Sequence, residues 1–540
     1  MWRNLLFLVV CTGGLLAFKA SVFPSAGSRQ WPAARVDEAS IRPTVERVNE
    51  AFEQVWRERH QTPAPAAPEL AVARRISLAL TGTIPSLEEI RHFESLREPE
   101  RVERWLAERL VDRRSADYMG ERLARAFVGV DDGPFLLFRR RRFVSWLADQ
   151  LNSNQRYDWI VKHLIADSGL WTDTPATNFI TVTIQPDQNK GPDANQLAAR
   201  VSRAFLGVRL DCAECHDHPF ESWKQRDFQG LAAFFSQTRH SLRGIRDVPG
   251  DYQVENRLTG EMETIPCNVP FSRDLLGNRG SPRTRLAAWV THRENRPFAR
   301  EAVNRAWALL FGRPLIEPID NVSAGGPLPR PLEILTDDFV GHGYDWQRLL
   351  VVIASTKVFR ADSKTDPNES SDETTTAAGP ETSWAVFPLT RLRPEQVVGS
   401  LLQSASLSTI DSSRQIIVRL AREIGQRDFV KQYGDSGAEE FDTHGGTIPQ
   451  RLLMMNGRIV DEKTKDALFS NAATQIANMA PDDVKAVETA MLAVLTRRPG
   501  GEEQKYFVER LAQTEGPQRS RRVGDLVWTL LNSTEFSWNH

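Results

Sequence analysis

The chain has 540 residues, 41% of them hydrophobic and 26% charged, which excludes global disorder and collagen-like or coiled-coil composition. At roughly 100–200 residues per domain, it has room for about three to five domains or subdomains with large cores and needs no disulfide framework. Lys and Arg total 68 against 70 Asp and Glu, a formal net charge of −2 that does not supply the clustered positive excess of a nucleic-acid binder, so no nucleic acid is expected as a partner.

In chain order, Arg3 precedes an apolar run at 5–18 that is softened by Thr12, Gly13 and Gly14. That run has the form of a signal-peptide core and falls short of the about 20 apolar residues of a membrane span. Small residues at Ser25-Ala26-Gly27 offer a weak cleavage pattern, and an uncleaved N-terminal anchor is the alternative. Residues 1–27 therefore predict an exported protein of the periplasm or cell envelope, touching membrane only through this segment. Residues 28–68 read as a Pro/Ala-rich leader, with room for one helix at 42–59. A helical domain is expected over 69–240. Gly82 is placed to end its first helix in the left-handed conformation, and Ser86 with Glu89 forms a capping box for the next. Apolar residues at Leu197, Val201, Phe205 and Val208 predict an amphipathic helix over 195–210. Arg139–Arg142 is a four-Arg run that reads as a solvated or acid-paired helix face.

Residues 241–282 carry strand-like and turn-like pieces and connect to a second helical region, 283–540. Helices are expected there at 286–290, 300–311, 332–340, 346–355, 450–453, 484–495 and 523–531. Ser, Thr, Asp and Glu crowd 363–380, which predicts a disordered insert. The whole reads as mainly α, a multi-helical architecture of two to three subdomains with a few short strands.

The chemistry-bearing segment is Cys212-Ala213-Glu214-Cys215-His216-Asp217-His218. Cys212, Cys215 and His216 match C-x-x-C-H, the attachment pattern of haem c. Two thiols three residues apart on a turn can reach the two vinyl groups of one porphyrin, and the following imidazole can ligate the iron. Haem attachment takes place outside the cytoplasm, in agreement with an export signal. Three other readings compete. Cys212, Cys215, His216 and His218 are ligand types for zinc, although four ligands within seven residues strain one tetrahedral site. The cysteines alone can form a redox dithiol, although the flanks read helical and not as a βαβ unit. The segment can also be purely structural. A distal haem ligand is not singled out; His240, His292, Met262, Met454 and Met455 qualify by type. Beyond Cys11 in the apolar run, the remaining cysteine is Cys267, an odd count that does not describe a disulfide scaffold.

The residues around this segment resemble a known family. Arg75-Ile76-Ser77-Leu78-Ala79-Leu80-Thr81-Gly82-Thr83-Ile84-Pro85-Ser86, Phe205-Leu206-Gly207-Val208, the Cys–His segment through Pro219-Phe220, Asp227-Phe228 and Ala232-Ala233-Phe234-Phe235 are similar to the planctomycete-type domain of unknown function fifteen-forty-nine. Asn295-Arg296-Pro297-Phe298, Val303-Asn304-Arg305-Ala306-Trp307, Phe311-Gly312-Arg313-Pro314-Leu315, Arg391-Leu392-Arg393-Pro394-Glu395 and the closing Trp528–Phe536 stretch resemble its companion, domain fifteen-fifty-three. The resemblance implies export and no particular activity. Longer members carry an additional cytochrome c-like domain, and the genes neighbour those of exported sulfatase-like proteins, which implies such a partner and polysaccharide metabolism at the cell surface. Residues 28–68 hold no cysteine, so any haem here must use Cys212, Cys215 and His216.

The expectation is an exported single-site haem c protein acting in electron transfer with other redox proteins. The alternative is a non-enzymatic envelope scaffold with a structural Cys/His metal site, accessory to sulfated-polysaccharide degradation. Elsewhere, Arg305 can face an anionic ligand such as a haem propionate or can simply tie helix to loop, as Asn304 can. Glu317, Asp320, Asp337 and Asp338 are carboxylates that could pair as acid and base. No G-x-S-x-G, Walker or H-E-x-x-H pattern is present.

Overall fold

The computed structural model describes residues 31, 36–129, 133–134, 136–185, 191–218, 221–255, 260–322, 327–364, 379–410, 452, 455 and 472–540. The expected signal segment, the low-complexity insert and the expected helix at 450–453 lie wholly or mostly outside them. The described chain is mainly helical, as its periodicities predict, with three two-stranded antiparallel sheets.

Helix α1 (Glu38–Glu58) falls in the stretch read as a leader, yet Val48, Phe52 and Trp56 are buried in the main core. It packs on later helices, and Trp56 Nε1 donates to the Ser383 carbonyl at 2.9 Å. Pro and Ala enrichment at 62–68 marks the link after this helix and not a detached leader. Helix α2 (Glu69–Thr81) is buried from Val72 to Thr81. It stops at Gly82, whose φ is +68°, and a Cβ there would lie 2.5 Å from the Tyr118 ring. The capping box of α3 (Leu87–Ser95) forms as expected, with Ser86 Oγ accepting from Glu89 N and Glu89 Oε2 accepting from Ser86 N, both at 3.0 Å. Helices α4 (Arg101–Leu110), α5 (Arg113–Val128), α6 (Arg140–Asn152), α7 (Tyr157–Ala166), the short α8 (Asn178–Thr181), α9 (Ala194–Leu206) and α10 (Gln225–Ala232) complete the first half. Helices α5 and α6 form an antiparallel pair in which Gly120 lets the Ala148 backbone approach; a Cβ on Gly120 would sit 2.9 Å from Ala148 N.

Two hairpins follow, β1 (Thr238–Ser241) with β2 (Gly244–Asp247), and β3 (Tyr252–Glu255) with β4 (Met262–Ile265). The second half brings α11 (Pro282–Val290), α12 (Arg296–Phe311), α13 (Arg330–Gly341), α14 (Trp346–Ala354) and α15 (Lys357–Arg360), which share one core with the first half. Helix α12 is buried on nearly every face because α9, α13, α14 and α2 surround it. Beyond it, α16 (Pro394–Ser404), α17 (Ala472–Met479), α18 (Asp483–Leu495), α19 (Gly501–Leu511) and α20 (Gly516–Leu531) enclose a second core. Strand β5 (Thr390–Arg391) pairs with β6 (Trp538–Asn539) beside it. Leu78 and Ile84 enter this second core, while Ile76, Ala79 and Leu80 of the same segment enter the first. The α2 region is thus the shared wall of both.

Buried ion clusters join the helices. Glu89 meets the guanidinium groups of Arg109 and Arg114, with Asp112 closing the group. Burial pushes the Glu89 carboxyl upward, but Arg114 and Arg109 overcome it and hold the group well below the ordinary carboxylate range. Glu395 at the start of α16 is mostly buried, and Arg122, Arg125 and Arg393 reverse the effect of burial to hold its pKa at about 2. Its folded pKa is depressed from 4.5, so its stabilisation is complete above that pH and is lost as pH falls toward 2. The difference amounts to about 3 kcal/mol. Glu395→Gln is expected to lower unfolding stability by about that amount at neutral pH, with the gap from the parent protein shrinking at pH 3, as read by urea denaturation at both pH values.

Candidate functional site

The Cys–His segment follows directly from α9. Asp193 caps that helix by accepting from the amides of Asn195 and Gln196. The helix ends at Leu206, short of the 210 expected from periodicity, because Gly207 turns left-handed at φ +57°. A Cβ at Gly207 would press Val322 at 3.1 Å and the Glu301 carboxylate at 3.3 Å. Val208 and Leu210 then bury their side chains beyond the end of the helix. Asp211–Glu214 forms one 3₁₀ turn, and the buried Ala213 methyl fixes it to the core. Cys212, Cys215 and His216 flank that plug and are all exposed.

Polar clamps hold the turn from three elements. Arg203 of α9 donates Nε and Nη2 to the two Asp211 oxygens at 2.9 and 2.5 Å. Asn195, also of α9, donates to Glu214 Oε1 at 2.9 Å and accepts from the Tyr252 hydroxyl of β3 at 2.6 Å. Gln225 opens α10 by donating its amide to Asp217 Oδ1 at 2.9 Å and its side chain to the Glu214 carbonyl at 3.1 Å. The Gln225 amide and the Lys224 ammonium draw the Asp217 carboxyl below its ordinary range.

The two histidines have separate tasks. His218 Nδ1 accepts from the Glu221 amide at 3.0 Å, while its own amide donates to the Trp223 carbonyl at 2.9 Å, so it organises the loop. His216 Nδ1 lies 2.7 Å from the Asp217 carbonyl oxygen. A carbonyl can only accept, so Nδ1 carries a proton and donates, which leaves Nε2 as the ring nitrogen not engaged by that bond. Cys212 and Cys215 are free thiols and form no disulfide. Among the described residues, no group of three or more His, Cys, Asp or Glu side chains is gathered to hold a metal ion, the set of Cys212, Cys215, His216 and His218 included. Cys267 stands apart, half-buried against the main core, and burial pushes its thiol pKa up.

The donor set of the turn suits attachment of a porphyrin: two reduced thiols on one turn, followed by an imidazole in the ligating tautomer. The other candidates separate. Arg305 is buried and ion-paired with Glu301 four residues earlier on the same helix. Asn304 clasps the backbone of Ile316 through both its amide atoms at 2.9 Å, which ties helix to loop. Glu317 pairs with Arg313, Asp320 with Arg209, Asp337 with Arg296, and Asp338 with Arg348, so these carboxylates are distributed among separate ion pairs and form no acid–base couple. Sequence reading did not single out Arg203, Asn195, Gln225 or Tyr252 as partners of the turn. Their contacts span 8 to 57 residues in sequence, and none forms a local motif.

Residues 47–240 match the family described as Protein of unknown function (DUF1549), PSCyt2, and residues 282–427 match Protein of unknown function (DUF1553), PSD1. The first match contains the entire Cys–His turn. It also begins inside α1, consistent with that helix belonging to the folded body. No curated protein and no solved structure matches the chain. The site geometry predicts a reactivity order. With Cys11 replaced by Ser, Cys212 and Cys215 should react rapidly with an aromatic disulfide reagent, and Cys267 at least about tenfold more slowly, as measured by stopped-flow absorbance.

Proposed function

This chain belongs to the proteins that join a DUF1549 domain to a DUF1553 domain in tandem, and from that premise we propose that it is an exported protein carrying one covalently held haem at the Cys212–His216 turn. The observation that carries the proposal is the hydrogen bond from His216 Nδ1 to the Asp217 carbonyl. Ligating histidines are commonly oriented this way, with one ring nitrogen donating to a backbone carbonyl and the other free to bind metal. The bond fixes the tautomer and raises the basicity of Nε2.

Cys212 and Cys215 would hold the group through thioethers, for which both must be reduced, and both are free thiols. Ala213 between them anchors the turn in the core, so the thiols keep a fixed spacing without being buried. Arg203 neutralises Asp211 beside Cys212, and Asn195 and Gln225 brace Glu214. Haem supplies reversible one-electron exchange. An exposed attachment turn suits transfer to a second redox protein of the same compartment. Export is supported by Arg3 and the apolar run at 5–18.

Expression of the whole chain alongside a haem-attachment system tests the proposal. The expected outcome is a covalent haem stain on a denaturing gel and a Soret absorption band, both lost in Cys212→Ser/Cys215→Ser. His216→Ala should retain covalent haem but shift the band. A folded, colourless protein under the same conditions overturns the proposal, whether or not elemental analysis finds zinc in it.

A further inference from the structure

A second surface, formed far from the Cys–His turn in sequence, has its own chemistry. The β1–β2 hairpin ends in Leu242, which is 97% exposed and flanked by Ser241 and Arg243. Arg239, Arg243 and Arg246 are exposed on the same hairpin. The hairpin cannot swing freely. Gly244 and Ile245 lie on the Gly169 backbone, where Ile245 and Gly169 exchange amide–carbonyl bonds of 2.9 Å in both directions. A Cβ at Gly244, whose φ is +94°, would fall 2.1 Å from the Gly169 carbonyl carbon. At the foot of the hairpin, the buried guanidinium of Arg283 binds Asp247 at 2.7 Å and the carbonyl of Asp167 at 2.7 Å. A rigid support thus presents a bare leucine to solvent.

The strip continues from Gly169 into the four-Arg run. Trp171 Nε1 donates to the Leu136 carbonyl at 2.8 Å, and Leu136 is itself 56% exposed. Arg142 donates to the Thr172 carbonyl at 3.3 Å, and Arg139 and Arg141 are exposed beside it. Arg140 turns away to Glu121 and the Gly129 carbonyl. Among the described residues, no carboxylate ion-pairs with Arg142, Arg239, Arg243 or Arg246; Asp173 and Asp251 are the exposed acids of these stretches.

We infer that this strip is a membrane-docking surface for anionic lipid, with Leu242 and Leu136 entering the interface and the surrounding arginines binding headgroup phosphates. An arginine fork matches phosphate geometry, an indole such as that of Trp171 suits the headgroup level, and each basic residue near an anionic leaflet strengthens binding several-fold. A polyanion such as a sulfated glycan would use the arginines but has no use for a fully solvated leucine at the tip; the apolar tip favours lipid. The surface adds a second membrane contact to the one expected of the N-terminal segment, and it does not depend on the haem proposal.

The test is co-sedimentation of the full chain with vesicles of phosphatidylcholine alone or mixed with phosphatidylglycerol. The N-terminal segment carries Arg3 and Lys19 and has its own preference for the anionic vesicles, so each variant is compared with the parent protein on the same vesicles, where that contribution is identical. Phosphatidylglycerol should raise binding of the parent protein above that to the neutral vesicles, and added salt should remove the increment. Arg142→Gln/Arg243→Gln/Arg246→Gln should cut partitioning onto the mixed vesicles by at least about tenfold. Leu242→Ser, at a position that touches nothing in the fold, should cut it by about tenfold with unchanged circular dichroism. The inference is overturned if the mixed vesicles bind no more protein than the neutral ones, or if Leu242→Ser binds as the parent does. If the leucine variant is silent while the arginine variant fails and a sulfated glycan displaces the parent protein, the strip is a polyanion site instead.

Discussion

The Arg75 guanidinium lies 3.7 Å above the Phe387 ring and donates to the main-chain oxygens of Phe359, Ala361 and His540 at 2.7–2.9 Å. Its neighbour Arg74 reaches the carbonyls of Val494 and Phe536. Both side chains are fully buried on α2, the helix that walls both cores. Burial lowers the pKa of Arg75 to about 9 and that of Arg74 to about 10, with Asp362 and Glu535 nearby offsetting part of the cost. Among the described residues, neither guanidinium has an Asp or Glu side chain as a hydrogen-bond partner. Main-chain oxygens and the Ser363 hydroxyl, from segments 284 to 465 residues away, do the solvating, and those segments can supply them only once the chain has closed around α2. The main core and the C-terminal core are therefore coupled through one helix.

The same economy of arginine recurs through the structure. Glu89 joins α3, α4 and α5 through Arg109 and Arg114, and Glu395 docks α16 on α5 through Arg122. Gln396 of α16 donates to the Leu78 carbonyl, and Ser400 accepts from the Ile84 amide, so the second core is fastened to α2 by polar contacts as well as by Leu78. Several arginines thus serve as internal ties between helices. Others stay at the surface, among them Arg239, Arg243 and Arg246 around Leu242.

The Cys–His turn is supported differently. Its apolar anchor is a single methyl group, Ala213, and the rest of its support is polar and peripheral. Such a turn has a fixed backbone and accessible thiols, which a covalent attachment site requires. A dithiol that had to be shielded from oxidants would need the opposite. Both proposed surfaces rely on glycine next to them: Gly207 lets α9 stop in time to deliver the turn, and Gly244 lets the hairpin lie flat on Gly169.

Local physics made much of this legible in the sequence. The capping box at Ser86–Glu89, the left-handed Gly82 and the amphipathic helices of the second half each depend on residues within a turn of one another, so spacing alone located them. The C-x-x-C-H pattern is equally local, and the proposed attachment residues were read from it directly. The tertiary structure decided the rest. It put α1 into the main core although its flanks read as a leader, because Val48, Phe52 and Trp56 find their partners some 300 residues away. It buried Arg305 against Glu301 and divided the acidic candidates among separate ion pairs. It turned His218 to the loop and left His216 with an open nitrogen, and it brought the hairpin to the four-Arg run through Gly169. Each of these outcomes depends on contacts between residues remote in sequence, and no periodicity or spacing records which remote segment will arrive to make them.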